Sequence, residues 1–284
     1  MLVKLKDILE KAVKGSYAVG AFNVQNLEFA HGIIDAAAEH SSPIIMQISP
    51  RTLAFFETET ILKPTLLLAE KASVPVCVHL DHAKDLDTVR KGIEAGFTSI
   101  MFDGSSRPLQ ENIELSRQVS QWCREHHVSL ETEVGVVGSD EENKNADIPL
   151  QYTKIEEVQQ FLNQVDTDAL AVSVGSIHGM QTAKVRLNFD LLAQLSSIIS
   201  IPLVMHGSSG VIDQDLKEAI RFGIRKINVA TRLKIAAGSA IYEISRIQGM
   251  SGLGDTMQLS IEIRKAVKKA VLSRLSVFNP SSKE

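Results

Sequence analysis

Cysteine is scarce in this chain of 284 residues: there are two, Cys77 inside an apolar run and Cys123 beside Trp122. Two thiols cannot build a disulfide framework, so an apolar core must hold the fold, and a reducing, cytoplasmic setting is expected. Cationic excess is missing as well. The 30 Lys and Arg are outnumbered by 34 Asp and Glu, a formal net charge of −4, which excludes the basic surface that a nucleic-acid backbone requires. Long apolar runs are absent: nothing approaches the roughly 20 residues that span a bilayer. The N-terminus, MLVKLKDILEKAVKG, intersperses charges among its apolar residues as an amphipathic helix does, unlike a signal peptide. No membrane partner is expected. What the chain has instead is 44% hydrophobic against 23% charged residues, a balance that excludes disorder and coiled coil and can close one large core.

Eight short runs rich in Val, Ile and Ala recur at regular spacing: 18–22, 43–48, 76–80, 99–102, 129–132, 169–173, 203–205 and 226–229. The stretches between them carry helical periodicity, as in Leu27, Ile33, Ile34, Ala37 and Ala38, or Ile113, Leu115, Val119 and Trp122. Helical connections make the strands parallel. The runs lack polar alternation, as strands covered on both faces do. Eight βα units predict an α/β fold, a single closed (β/α)8 TIM barrel forming one domain over residues 1–284, with a doubly wound open sheet as the alternative. One connection, 135–151, is rich in Gly, Asp, Glu, Asn and Lys and is expected to be a mobile active-site loop; 246–256, with three glycines, reads as another loop. Leu259, Ile263, Val267 and Val271 step by four and predict a final helix that closes the barrel or meets another subunit.

In such a barrel the active site is assembled from the C-terminal ends of the strands and the loops that follow. Those positions hold Asn23, Ser49, Asp81 and His82, Asp103, Glu131 and Glu133, His178, His206 and Asn228. Three of the eight histidines, His82, His178 and His206, fall at the ends of three different strands. Neutral imidazole is the commonest metal ligand, and a catalytic zinc keeps three protein ligands with an open fourth position, so these three form the candidate metal set. Asp81 can project into the same cavity and exchange a proton with a substrate hydroxyl, or cap a helix. Asp103 and Glu133 are candidates for a second metal or for support of the first. His79 reads as a core or supporting histidine, and His31, His40, His126 and His127 as solvated.

The segments after the last two strands are His206-Gly207-Ser208-Ser209-Gly210 and Asn228-Val229-Ala230-Thr231. Glycine admits close backbone approach, Ser and Thr add hydroxyl donors, and each segment leads towards a helix, the arrangement that cradles a phosphate. Barrels commonly place phosphate after strands seven and eight.

With Tyr17-Ala18-Val19-Gly20-Ala21-Phe22-Asn23, His79-Leu80-Asp81-His82, Ser129-Leu130-Glu131-Thr132-Glu133-Val134-Gly135, Gly175-Ser176-Ile177-His178-Gly179, the glycine-serine segment and Lys226-Ile227-Asn228-Val229-Ala230-Thr231, the chain resembles the zinc-dependent class II ketose-bisphosphate aldolases. The resemblance runs from the N-terminal helix to Phe278 and is nearest the tagatose-bisphosphate and fructose-bisphosphate branch. It implies that His82, His178 and His206 hold Zn2+ and that Asp81 moves the proton at the hydroxyl beside the cleaved bond. It implies that Glu141 handles the proton on the dihydroxyacetone phosphate carbon. Gly179, Gly207, Ser209, Asn228 and Thr231 match the family's phosphate and dihydroxyacetone positions, and Asn23, Ser49, Ser208, Val229 and Ala230 complete the candidate substrate-binding set. Gly179, Gly207 and Ser209 also fall where the family binds a monovalent cation, Na+ or K+. The expected partner is a phosphorylated sugar, and the expected assembly a homodimer or homotetramer.

Three departures bear on the substrate. Ser208 stands where the family usually has Gly or Ala, and Arg232 where it has an acidic residue. Where many bisphosphate aldolases carry Asp-Pro-Arg before the last helix, this chain reads Ser251-Gly252-Leu253-Gly254-Asp255-Thr256-Met257. The arginine that grips a distal phosphate is missing, and Arg51 is the best substitute. Two alternatives therefore stand beside a ketose 1,6-bisphosphate aldolase: an aldolase for another ketose 1-phosphate, and a non-catalytic barrel that accompanies an aldolase subunit.

Overall fold

The structure is a computed structural model and describes residues 1–139, 151–180 and 185–279. Eight parallel strands form the barrel: β1 (Val19–Asn23), β2 (Ile44–Ile48), β3 (Val76–Ala83), β4 (Ser99–Phe102), β5 (Ser129–Val134), β6 (Ala169–Val172), β7 (Leu203–Met205) and β8 (Ile224–Val229). Each pairs with its neighbour, and β8 returns to β1 with Lys226 opposite Val19 and Val229 opposite Phe22, so the sheet closes and the open-sheet alternative is excluded. Around it run α1 (Leu5–Gly15), α2 (Leu27–His40), α3 (Pro50–Phe56), α4 (Thr58–Lys71), α5 (Leu86–Ala95), α6 (Leu109–Glu125), α7 (Ile155–Leu162), α8 (Phe189–Ile198), α9 (Asp213–Arg221), α10 (Thr231–Gly254) and α11 (Thr256–Phe278).

The strands are apolar along their length, yet their two faces do different things. Outward residues such as Phe22, Val78, Ile100 and Val172 pack under the helices. Inward residues change character from one end of the barrel to the other. At the N-terminal end Val19, Ala21, Ile45, Cys77, Met101, Ala169, Ala171 and Val204 form an apolar plug with Leu5, Ile8, Leu9 and Ala12 of α1. Those four helical residues recur at the spacing of one face, which is why the amphipathic N-terminus becomes a stopper for the barrel's lower mouth. Further up, the inward positions become Gln47, His79, Glu131 and Lys226, all fully buried.

Side-chain caps start the helices that begin near the upper mouth. Asn26 accepts from the Phe29 N–H at 3.1 Å before α2, Ser49 accepts from the Thr52 N–H at 3.3 Å before α3, and Asp85 accepts from the Thr88 N–H at 2.8 Å before α5. Pro50 follows Ser49 as the first helical residue, where its missing N–H costs nothing.

Three expectations are corrected. The 246–256 loop is helical up to Gly254, with a break confined to Gly249, whose backbone has φ 58°. His40 is buried at the end of α2, with its Nδ1 2.8 Å from the Ser42 hydroxyl, rather than solvated. Val229 turns into the outer core. The final helix packs on α2 so closely that a Cβ on Gly32 would lie 2.8 Å from the Arg264 carbonyl oxygen.

Candidate active site

The upper mouth opens into a cleft of about 910 Å3 lined by both polar segments read from the sequence and by the strand-end residues. Here β3 is irregular. Leu80 faces Ile100 but Ala83 faces Phe102, so one extra residue is accommodated at Asp81–His82. His82 sits there with φ 52°, the left-handed region that a non-glycine residue seldom occupies. A bulge of this kind turns two consecutive side chains towards one cavity, and Asp81 and His82 both line the cleft.

The three strand-end histidines do meet. Ring centroids of His82, His178 and His206 lie 5.4, 4.6 and 5.6 Å apart, and one ligand atom from each falls within 4.8 Å of the others. His82 Nε2 and His206 Nδ1 stand 2.9 Å apart. Their opposite nitrogens both reach carboxylates: His82 Nδ1 lies 2.9 Å from Asp103 Oδ2, and His206 Nε2 lies 3.0 Å from Glu131 Oε1. A carboxylate on the far side of an imidazole holds the N–H there and aims the remaining lone pair forward. Facing nitrogens this close share a proton when no metal is bound, and with His178 the three rings offer a donor set that fits a zinc ion with an open position. A second group, His82, Asp103 and Glu133, could also hold a metal by the same distance criterion.

Charge is arranged to match. Burial opposes a proton on His82, but the Asp81 carboxylate and the hydrogen bond to Asp103 overcome it and lift the imidazole to about 9. His206 is pushed well below its usual value, first by burial and then by the charges of His82 and Lys226. Asp81 is held low because His82, Lys226 and His206 outweigh the penalty of its own burial. Glu133, buried and facing the charge of Asp103, rises to about 8 and is protonated at neutral pH.

Asp81 is fixed by three amides. Asn23 Nδ2 donates to Oδ2 at 3.0 Å, Gln47 Nε2 to the same oxygen at 3.2 Å, and Asn228 Nδ2 to Oδ1 at 3.3 Å. Beneath it, the Lys226 ammonium contacts Glu131 Oε2 at 2.9 Å and donates to Asn228 Oδ1 at 2.8 Å. Its bond to that carbonyl end decides which way the amide points, so the Asn228 NH2 must face Asp81. Gln47 and Lys226 were not singled out in the sequence, and Glu131 was picked out there only as a strand-end residue without a role. Each lies inside a strand below its end, and the available signal was a polar or charged residue at an inward position of an apolar run.

The phosphate-cradle candidates are gathered too: Gly179, Gly207, Ser208, Ser209, Asn228, Ala230 and Thr231 all line the cleft. Gly207 has φ 64°, and a Cβ there would lie 2.5 Å from the Ile177 carbonyl carbon. That close approach sets the glycine-serine segment against the short strand Ile177–His178, which pairs with Gly138–Ser139. The Ser208 hydroxyl donates to the Asn228 carbonyl, so its proton is committed within the protein. Ser49 lines the cleft while capping α3. Glu141 lies outside the described residues.

A closed eight-stranded barrel with this polar mouth defines a (β/α)8-barrel enzyme. A family model described as Fructose-bisphosphate aldolase class-II matches residues 3–283, so the chain belongs to the class II fructose-bisphosphate aldolase family, whose members are lyases. It is 35% identical to 6-phospho-5-dehydro-2-deoxy-D-gluconate aldolase of Halalkalibacterium halodurans, over 99% of this chain and 98% of the relative. It is 32% identical to fructose-bisphosphate aldolase of Staphylococcus epidermidis over 99% of both. Among solved structures, the YdjI aldolase of Escherichia coli K12 matches with a TM-score of 0.87 at 31% identity, covering 100% of this chain and 99% of that one.

Proposed function

We propose that this chain is a zinc-dependent aldolase that reversibly cleaves a ketose 1,6-bisphosphate of the tagatose or fructose type, giving dihydroxyacetone phosphate and glyceraldehyde 3-phosphate. The observation that carries the reading is the paired histidine arrangement: His82 and His206 present nitrogens to one point while Asp103 and Glu131 hold their far sides.

Zinc held by His82, His178 and His206 supplies a Lewis-acid charge that stabilises the negative charge left on the three-carbon phosphate half when the carbon–carbon bond breaks. Asp81 is ionised and oriented by Asn23, Gln47 and Asn228, so it accepts the proton of the hydroxyl beside that bond during cleavage and returns it during condensation. Glu141 moves the proton on the dihydroxyacetone phosphate carbon. The Gly207–Ser209 and Asn228–Thr231 segments receive the phosphate, with Na+ or K+ beside Gly179, Gly207 and Ser209. Glu133, protonated, supports the metal side without adding a charge. The chain acts in the cytoplasm, and the exposed apolar residues Ile241, Tyr242 and Ile247 along α10 support assembly as a homodimer or homotetramer.

A second reading, cleavage of another phosphorylated ketose to dihydroxyacetone phosphate and a different aldehyde, is favoured by the relative named for 6-phospho-5-dehydro-2-deoxy-D-gluconate. The complete histidine and aspartate set speaks against a non-catalytic companion. The test is release of dihydroxyacetone phosphate from tagatose and fructose 1,6-bisphosphates and from ketose 1-phosphates, before and after EDTA and again after zinc. Zinc-restored release is expected. Release unaffected by chelation would remove zinc from the reading, and no release from any substrate would overturn the reaction.

A further inference from the structure

We infer that Arg51 and Lys84 form a second anion subsite, on the side of the mouth across from the glycine-serine segment, that holds a phosphate or carboxylate at the far end of the substrate. This rests on the aldolase reading and adds which end-group the substrate must carry.

The barrel's own geometry separates the two ends. The Gly207–Ser209 segment follows β7, and the Asn228–Thr231 segment runs from the end of β8 into α10. Arg51 lies in the first turn of α3, after β2, and Lys84 directly follows β3. In a ring of eight strands β3 and β7 are diametrically opposed. A ligand anchored by one phosphate after β7 and passing over the histidines therefore delivers its other end to the β2–β3 side. Both side chains line the same cleft as the histidines.

Charge on the cleft wall supports this assignment. The floor carries the carboxylates of Asp81 and Asp103, which resist an anion, so an anionic end-group must be met by cations nearer the rim. The described lysines and arginines of the lining are Arg51, Lys84 and Lys234. Lys234 belongs to the first turn of α10 beside Thr231 and so serves the first phosphate's side. Among the described residues, no other cation of α10 and none of α11 lines the cleft.

Neither Arg51 nor Lys84 makes an ion pair among the described residues. The nearest acidic neighbours in the chain are already engaged. Asp85 accepts from the N–H and hydroxyl of Thr88, both at 2.8 Å, and Asp103 holds His82 and Ser105. Arg107 Nη2 donates to the Lys84 carbonyl at 3.1 Å and fixes the backbone from which that ammonium projects. The result is two uncompensated cations of different kind, a planar fork and a point charge, on adjacent loops. That combination suits a terminal oxyanion, phosphate or carboxylate.

The test runs the condensation direction with zinc-loaded enzyme, dihydroxyacetone phosphate and three aldehydes: glyceraldehyde 3-phosphate, malonate semialdehyde and uncharged glyceraldehyde. Arg51→Gln, Lys84→Met and the double variant are compared with the parent; both positions are exposed, and melting curves confirm folding. Each single variant is expected to lose about tenfold to a hundredfold in kcat/KM for the charged aldehydes, the size of one charge-assisted hydrogen bond. The loss falls mainly on KM, glyceraldehyde stays within about twofold, and the KM for dihydroxyacetone phosphate does not move. Whether the phosphate or the carboxylate aldehyde responds more identifies the end-group, and either response supports the subsite. Equal loss for charged and neutral aldehydes, or no loss for any, overturns it while leaving the aldolase reading intact. No product from any aldehyde overturns the aldolase reading itself, and the subsite with it.

Discussion

Lys226 does more with one ammonium group than any other side chain beneath the mouth. Through Glu131 it secures the carboxylate that orients His206, and through Asn228 it aims the amide that holds Asp81. Removing it leaves a buried carboxylate without its counter-charge, and breaking such a pair typically costs about 3–5 kcal/mol. Lys226→Met is therefore expected to lower the melting temperature sharply. Glu131→Gln keeps the shape but loses the charge and one of the two acceptor oxygens that serve His206 and Lys226, so zinc affinity should fall about tenfold to a hundredfold, read by chelator competition. Asp81→Asn is expected to separate metal from chemistry. Zinc content should stay at the parent level while kcat drops about a hundredfold to ten-thousandfold, the contribution of a positioned acid–base group. Unchanged kcat in that variant would remove Asp81 from proton transfer.

At the scale of elements, Gly207 shows how tightly the loops after the strands are set. Its φ of 64° is one that a β-carbon penalises, and that carbon would lie 2.5 Å from the Ile177 backbone, too close without a shift of the segment bearing His178. Gly207→Ala should cost about 1–2 kcal/mol from the backbone alone, and zinc binding should weaken because two ligand-bearing segments move apart. Calorimetric titration with zinc checks this, and parent-like affinity would refute it. All eight strands were legible in the sequence because short β-branched runs separated by helical periodicity leave few other arrangements. The ends of β3 and β5 were not: Asp81, His82 and Glu133 are polar, so the apolar runs stop before them, yet both strands continue through them as barrel lining, β3 by way of its bulge. The helical span after Arg246 was missed because three glycines look like a break, and only Gly249 leaves helical geometry. The strand-end rule found the histidines, Asp81 and Glu131, though it gave Glu131 no role, and it could not reach Lys226 or Gln47, which act from one layer deeper in the barrel.

For the whole molecule, the buried groups of this centre give the metal-free protein a stability optimum rather than a plateau. His79 and His206 are held neutral, their values depressed below 6.5 chiefly by burial. The unfolded chain protonates them first, so the stability they contribute is complete above about pH 6.5 and is lost as pH falls below it. His82 and Glu133 act in the opposite direction. His82 is raised to about 9, so its contribution is complete below 6.5 and disappears as pH rises through 9. Glu133, raised from 4.5 to about 8, stabilises fully below 4.5 and loses that contribution as pH climbs to 8. Below pH 6.5 two histidines favour raising the pH against one carboxyl, and above it both His82 and Glu133 favour lowering it. The melting temperature of EDTA-stripped protein should therefore peak near pH 6.5 and decline on both sides. A scan of thermal melts across the neutral range checks this, and a curve still rising at pH 8 would show that these four groups do not control the stability of the empty centre.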